Sequence, residues 1–178
     1  AHMPGVTTQV YGSDSRGYDN VMIRGFGGYS STGYRDGLRQ FSVMYAAPFS
    51  EMYGIDRIEL LRGSNSAMYG ASDVGGLFNL ISKLPEPDAL QEVELQLGSY
   101  QYRQIGVDLS GGSSTDRYRL VAMHKQAQDQ FYYVDGRHVQ SKRSYLAPSY
   151  THQFSKNTSL TLLGNYLEHS LHFIWLKY

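Results

Sequence analysis

Cysteine is absent from the 178 residues. That excludes disulfides and thiolate metal sites without choosing a compartment. An excess of either charge is also lacking: Lys+Arg and Asp+Glu are both 16, for a formal net charge of zero. A nucleic-acid binder normally carries a basic excess, so that class is disfavoured. No apolar run approaches the roughly 18 residues that a membrane helix needs, and the mean hydropathy is −0.41. A helical membrane protein is thereby excluded. A membrane β-barrel is not, because its strands need only about 9–11 residues and one apolar face. Proline is scarce, at 5 residues.

Glycine (19) and tyrosine (16) are abundant. Glycine supplies turns and positive φ, while tyrosine suits strands and wet–dry boundaries. Ala1 to Met3 reads as an expression remnant and is set aside. Pro85-Glu86-Pro87-Asp88 reads as a linker that divides the chain. Before it, elements are short and glycine-punctuated. Strands are predicted over Asn20–Arg24, Ile55–Arg62 and Gly76–Ser82, a turn at Arg35-Asp36-Gly37, and helical turns at Pro48–Tyr53 and Ser66–Tyr69. After it, strict alternation predicts strands over Glu92–Gly98, Gln101–Ser110 and Asp116–Gln126. Looser alternation continues over Ser144–Phe154 and Thr158–Glu168. Gln128–Lys142 reads as a polar loop. This is an antiparallel meander, a pattern that an ordinary soluble β-sandwich shows equally well.

The order of motifs from Met22 to Pro87 resembles the later part of the plug domain of TonB-dependent outer-membrane receptors. An IRGF-like strand stands at Ile23–Phe26 and a Y-x-D-G-L turn at Tyr34–Leu38. A G-x-x-R-I-E-x-x-R-G element follows at Gly54–Gly63, A-x-Y-G at Ala67–Gly70, and a G-G-x-x-N exit from Gly75 to Pro85. The detail is similar to receptors for ferric hydroxamate siderophores of the ferrichrome type. The resemblance implies a mixed α/β plug remainder over residues 4–87, then an antiparallel β meander over 88–168. That meander would be about five strands of an outer-membrane barrel that has about 22 in this class. Residues 169–178 form a tail of uncertain origin, and Leu167–Tyr178 fits the barrel pattern poorly.

What the resemblance implies for function is transport of a ferric siderophore across the outer membrane, energised through TonB, by the intact parent receptor and not by this chain alone. The partners would be the ferric siderophore, outer-membrane lipid, and TonB through an N-terminal box expected to lie outside this chain. Iron arrives chelated, so no cofactor and no protein iron site are expected, and no nucleic acid. In the resembled receptors the arginine corresponding to Arg24 lies near the bound siderophore; a guanidinium offers fixed donors to hydroxamate oxygens. Tyr29, Tyr34, Phe41 and Tyr45 are expected on apical or glycine-rich loops, as aromatic walls for an apolar, oxygen-rich chelate. Arg39 and Gln40, after the Asp36-Gly37 turn, complete the candidate ligand-binding set. Each of these residues also has a plainer reading, in plug–barrel packing or a structural ion pair. Arg57, Glu59 and Arg62 are expected to share one strand face and pair with the barrel wall.

Two other classes stand beside the transporter. A soluble β-rich module binding a glycan or protein would show the same alternation. An enzyme using Glu59 or Asp73 would need convergent carboxylates, a triad or a metal set, and none is visible. His169 and His172, next to Glu168, have a helical metal-ligand spacing in a segment that reads as strand or tail.

Overall fold

The computed structural model describes residues 4–11, 18–27, 33–40, 50–63, 75–132 and 136–172. The chain divides into two compact units, Ala1–Lys83 and Leu84–Tyr178.

In the first unit glycine-bearing turns keep the strands short. β1 (Val6–Tyr11) pairs antiparallel with β2 (Tyr18–Ile23), which turns back into β3 (Phe26–Gly27). A second sheet comprises β4 (Gly33–Arg35), β5 (Leu38–Arg39), β6 (Ile55–Arg62) and β7 (Gly76–Ser82), in the order β5-β4-β7-β6. β4 runs parallel to β7 and the other pairs are antiparallel. β7 carries buried residues on both faces, as its sequence GLFNLIS requires of a central strand. Leu77 and Leu80 from β7 join Tyr34, Ile55 and Ile23 as the buried apolar side chains of this unit.

Gly75 and Gly76 enter β7 where backbones meet. A Cβ on Gly75 would stand 2.3 Å from the Ile23 carbonyl oxygen, and one on Gly76 2.3 Å from that of Leu61. Gly76 also has φ +129°. No side chain fits either position without moving backbone. Of the helical turn expected at Pro48–Tyr53, the described residues show a single 3-10 turn, Met52–Gly54, capped by the Glu51 carboxylate. It is the only helical element among the described residues, and the turn expected at Ser66–Tyr69 lies outside them.

The second unit is one antiparallel meander: β8 (Leu90–Leu97), β9 (Arg103–Gly112), β10 (Asp116–Tyr132), β11 (His138–Ser155), β12 (Thr158–Leu163) and β13 (Tyr166–His172). The sheet does not close; its order is β12-β11-β10-β9-β8, with β13 also on β11. Three sequence readings are corrected here. Six strands form, not five, because Thr158–Glu168 splits. β12 and β13 follow one another along the same edge of β11, in one register, since Ser149 faces Leu163 and Leu146 faces Tyr166. The break at Gly164 lies against the Pro148 ring, which offers no N–H. Second, the supposed loop Gln128–Lys142 is largely strand: Gln128 pairs with Gln140 and Tyr132 with His138. Ladder hydrogen bonds need no apolar side chains, so apolar alternation cannot see this extension. Third, the poor fit assigned to Leu167 onward is overturned as far as His172, which ends β13.

The two faces of this sheet differ. Asp108, Ser110, Arg119, Ser141 and Arg143 are buried on one side, together with Val121, Met123, Val139 and Tyr145. Leu95, Leu97, Leu120, Tyr150, Phe154 and Leu162 stand exposed on the other, Leu97 at 85 %. A soluble sheet hides its apolar face; this one presents it.

Candidate functional site

The candidate residues that are described, Arg24, Tyr34, Arg39 and Gln40, sit on two hairpins of the first unit. Both hairpins use two-residue turns with positive φ at each position, the type whose twist matches that of paired strands. Arg24-Gly25 has φ of 55° and 79°; Asp36-Gly37 has 50° and 78°. Arg24 occupies the tip of the β2–β3 hairpin. Its backbone N–H donates to the Gly5 carbonyl at 2.7 Å, and its side chain is exposed. The fold therefore spends its local bonds on the main chain and leaves the guanidinium projecting.

The β4–β5 hairpin is pinned to β7 through its turn. The Asp36 carboxylate accepts from Ser82 N–H at 2.8 Å and from the Ser82 hydroxyl at 2.7 Å. Arg35 Nε donates to Ser82 Oγ at 3.1 Å. Asp36 N–H donates to the Leu80 carbonyl at 2.9 Å, and Gly37 N–H to Asn79 Oδ1 at 3.1 Å. Asn79, itself buried, donates onward to Glu59 at 3.4 Å. Arg39 and Gln40 follow this anchored turn. Gln40 N–H closes the hairpin on the Gly33 carbonyl at 2.9 Å, and its side-chain amide donates to the Leu38 carbonyl at 3.2 Å.

Tyr34 was expected on a loop. It lies in the middle of β4 and is 2 % exposed, so its ring is enclosed by the protein and not displayed on a loop. Tyr29, Phe41 and Tyr45 lie outside the described residues. Arg24 belongs to one hairpin and Arg39 and Gln40 to the other. The sequence reading missed Ser82 and Asn79, the groups that fix the second hairpin. The available signal was a pair of polar residues inside an otherwise apolar central strand.

The expected face of Arg57, Glu59 and Arg62 is corrected. Arg57 binds Glu59 at 2.9 Å and Asp56 at 3.0 Å on its own strand. The Asp56 carboxylate, then that of Glu59, raises the Arg57 pKa above the ordinary arginine value. Arg62 is an odd number of residues from both partners and so takes the opposite side of a strand; it donates instead to the Pro4 carbonyl at 3.2 Å.

In the second unit a buried pair went unremarked in sequence. Arg119 grips Asp108 in two-point fashion, Nε–Oδ1 at 2.8 Å and Nη2–Oδ2 at 2.9 Å. Its third nitrogen donates to the Leu84 carbonyl at 2.9 Å and to Glu86 at 3.3 Å. Glu86 N–H donates to Ser110 Oγ at 2.9 Å. The linker at Pro85–Pro87 is therefore tied to β9 and β10. The histidine metal reading fails: β13 is a strand, where helical three-residue spacing has no meaning, and His169 instead meets Ser141 at 3.1 Å. No metal-binding group of three forms among the described residues.

Residues 1–77 match the family model for the TonB-dependent Receptor Plug Domain. The ferrichrome outer membrane transporter/phage receptor of Escherichia coli (strain K12) is 32 % identical over 169 residues, 92 % of this chain and 22 % of that protein. The ferrioxamine B receptor of Salmonella typhimurium (strain SL1344) is 30 % identical over 170 residues, 92 % of this chain and 23 % of that protein. Among solved structures, the pyoverdine outer membrane receptor FpvA of Pseudomonas aeruginosa PAO1, bound to pyoverdine, superposes with a TM-score of 0.80 at 26 % identity. That match covers 94 % of this chain and 24 % of the receptor. The siderophore receptor PiuA of Acinetobacter baumannii gives 0.77 at 29 % identity, over 93 % and 23 %. The chain thus spans roughly a quarter or less of the length of the curated relatives it matches.

Proposed function

Because this chain belongs to the TonB-dependent receptor family, we propose that it is the plug and first barrel strands of an outer-membrane receptor that imports a ferric siderophore. The relatives are transporters and receptors, not enzymes. The observation that carries the reading is the second sheet: Leu95, Leu97, Leu120 and Leu162 stand exposed on one face, while the other buries Asp108, Ser110, Arg119, Ser141 and Arg143 beside Val121, Met123, Val139 and Tyr145. That is the pattern of a wall between a polar lumen and lipid, with the plug unit preceding it in the chain. It weighs against a soluble binding module, which would have to cover the apolar face.

In the intact receptor the plug fills the lumen and TonB, drawing on the inner-membrane proton gradient, opens the path. The siderophore brings its own iron ligands, so the protein contributes donors and aromatic surface and no metal site. Arg24 is the principal contact, its exposed guanidinium directed at chelate oxygens. Arg39 and Gln40 add polar contacts from the second hairpin, and Tyr29, Phe41 and Tyr45 add aromatic walls. Tyr34 serves from beneath by holding that hairpin in place. The mixed α/β character of the plug and a division near residues 87–88 belong to the same reading.

Arg24→Gly tests it, because glycine accepts the positive φ of that turn while removing the guanidinium. Titrating the intact receptor with a ferric hydroxamate siderophore, followed by fluorescence quenching, should show affinity about tenfold weaker, equivalent to ~1.4 kcal/mol. Thermal stability should be unchanged or higher. Unchanged affinity would remove Arg24 from the site.

A further inference from the structure

The stretch that leads from the first unit into β8 is held by side chains and not by a strand ladder. Pro85 and Pro87 carry no N–H, so one edge of Leu84–Asp88 has lost its backbone donors. Within that stretch only Pro85 is buried; Leu84, Glu86, Pro87 and Asp88 are exposed, so apolar burial does not hold it either. Two residues of the second sheet do. Ser110 on β9 and Arg119 on β10 stand opposite each other in register. Ser110 Oγ accepts the Glu86 N–H at 2.9 Å, and donates toward the carbonyls of Tyr118 at 3.2 Å and Glu86 at 3.4 Å.

The Arg119 guanidinium serves two partners. Its Nε and Nη2 are committed to Asp108, which fixes the group in the wall. Nη1 turns to the Leu84 carbonyl at 2.9 Å and the Glu86 carboxylate at 3.3 Å. A rigid planar fork can serve both at once, where an ammonium could not. The first unit holds the chain up to the neighbouring residue. Ser82 pairs with Ile55 and is bound by Asp36, and the Lys83 N–H donates to the Gly54 carbonyl at 3.1 Å. The Lys83 ammonium stands 4.9 Å from the centre of the Tyr53 ring. A single peptide bond, Lys83–Leu84, thus separates the last bond of one unit from the first of the other.

We propose that Arg119 and Ser110 form a latch that seats Leu84–Pro87 on the polar face of β9 and β10 and leaves the junction no free chain. Load applied to the first unit is then resisted at Lys83–Leu84. Rearrangement within that unit can proceed with the latch closed. Displacement of the unit as a whole needs it open, which frees about 13 Å of chain. Arg119 thereby has a positioning role beyond its pairing with Asp108. The meaning of the latch in transport rests on the plug-and-barrel reading above.

Amide hydrogen exchange in the full chain, solubilised in detergent and followed by NMR, tests it. Arg119→Lys keeps a charge beside Asp108 and loses the second edge of the fork. The Glu86 amide should then exchange about tenfold faster, although its own acceptor, Ser110, is untouched. The amides of Lys83, Val121 and Met123 should keep the parent's rates. Ser110→Ala, which leaves the Arg119–Asp108 pair intact, should speed Glu86 in the same way, and it decides the matter if Arg119→Lys does not fold. A Glu86 amide as slow in these variants as in the parent overturns the latch. Equal acceleration at Val121 and Met123 would make Arg119 a support of the wall only; equal acceleration at Lys83 would move the break away from Lys83–Leu84. Either result overturns the proposal. Pulled by its N-terminus in a bilayer, the intact receptor carrying Arg119→Lys should lengthen by about 13 Å before β7 yields; no added extension would remove the load-bearing role. A chain that is monodisperse without detergent would overturn the barrel reading itself, whatever the Glu86 amide shows.

Discussion

At the residue scale, two non-glycine residues in left-handed conformation mark the two hairpins, and they are handled differently. Among the described residues Arg24 is tied down through its backbone, to the Gly5 carbonyl. Asp36 is held by its side chain, which accepts two bonds from Ser82. A left-handed residue costs roughly 1–2 kcal/mol over its ordinary conformation, and the Ser82 bonds offset that cost at Asp36. Asp36→Ala removes both bonds and keeps the strain. It should destabilise the chain by about 2 kcal/mol, read as a lower urea midpoint, with Asp36→Asn in between. An Asp36→Ala variant as stable as the parent would show that the turn is held by its neighbours alone. Asp36-Gly37 was legible in sequence as a turn signal. Its partner on β7 was not, because the two are 46 residues apart and only the parallel pairing of β4 with β7 brings them together.

At the element scale, β9 and β10 carry a charge pair where apolar periodicity describes only their other face. Register sets Leu109 and Leu120 side by side on the apolar face. Alternation gave no reason to single out Asp108 and Arg119 on the polar side. Both are buried, at 1 % and 7 % side-chain exposure, and they bind each other at two points. Removing one partner strands the other, so Asp108→Asn or Arg119→Met singly should cost ~3–5 kcal/mol. The pair should cost clearly less than the sum of the two in a double-mutant cycle. Additive losses would mean that Arg119 acts chiefly through the Leu84 carbonyl and Glu86. The polar extension of the β10–β11 hairpin escaped sequence reading for a related reason: where a strand leaves the apolar band its side chains lose the period-two signal, while its backbone pairing continues.

At the scale of the whole molecule, the second unit exposes what a water-soluble protein would bury. Leu120 lies within the outward apolar band, with Leu109 beside it and Tyr118 and Ala122 on either side along its strand. Leu120→Lys should therefore penalise insertion into phospholipid vesicles by ~2–4 kcal/mol, seen as a smaller extraction-resistant fraction. Gln126→Lys, at the polar rim, should change it little. Equal behaviour of the two variants would show that this face does not meet lipid.

The sequence by itself determined the period of the strands, the turns, and the order of motifs that marks the family. These are local properties, set by glycine, side-chain alternation and spacing. It also marked the Asp36-Gly37 turn that precedes Arg39 and Gln40, but it read Arg24 as the end of a strand, where the structure makes it the first residue of a hairpin turn. Tertiary structure alone decided that Tyr34 is enclosed and that β12 and β13 run in series past Pro148. It decided as well which face of the meander is buried. Alternation shows that a strand has two faces but not which one meets water. Only long-range pairing, which gathers Asp108, Arg119 and Ser141 on one side and Leu95, Leu120 and Leu162 on the other, answers that.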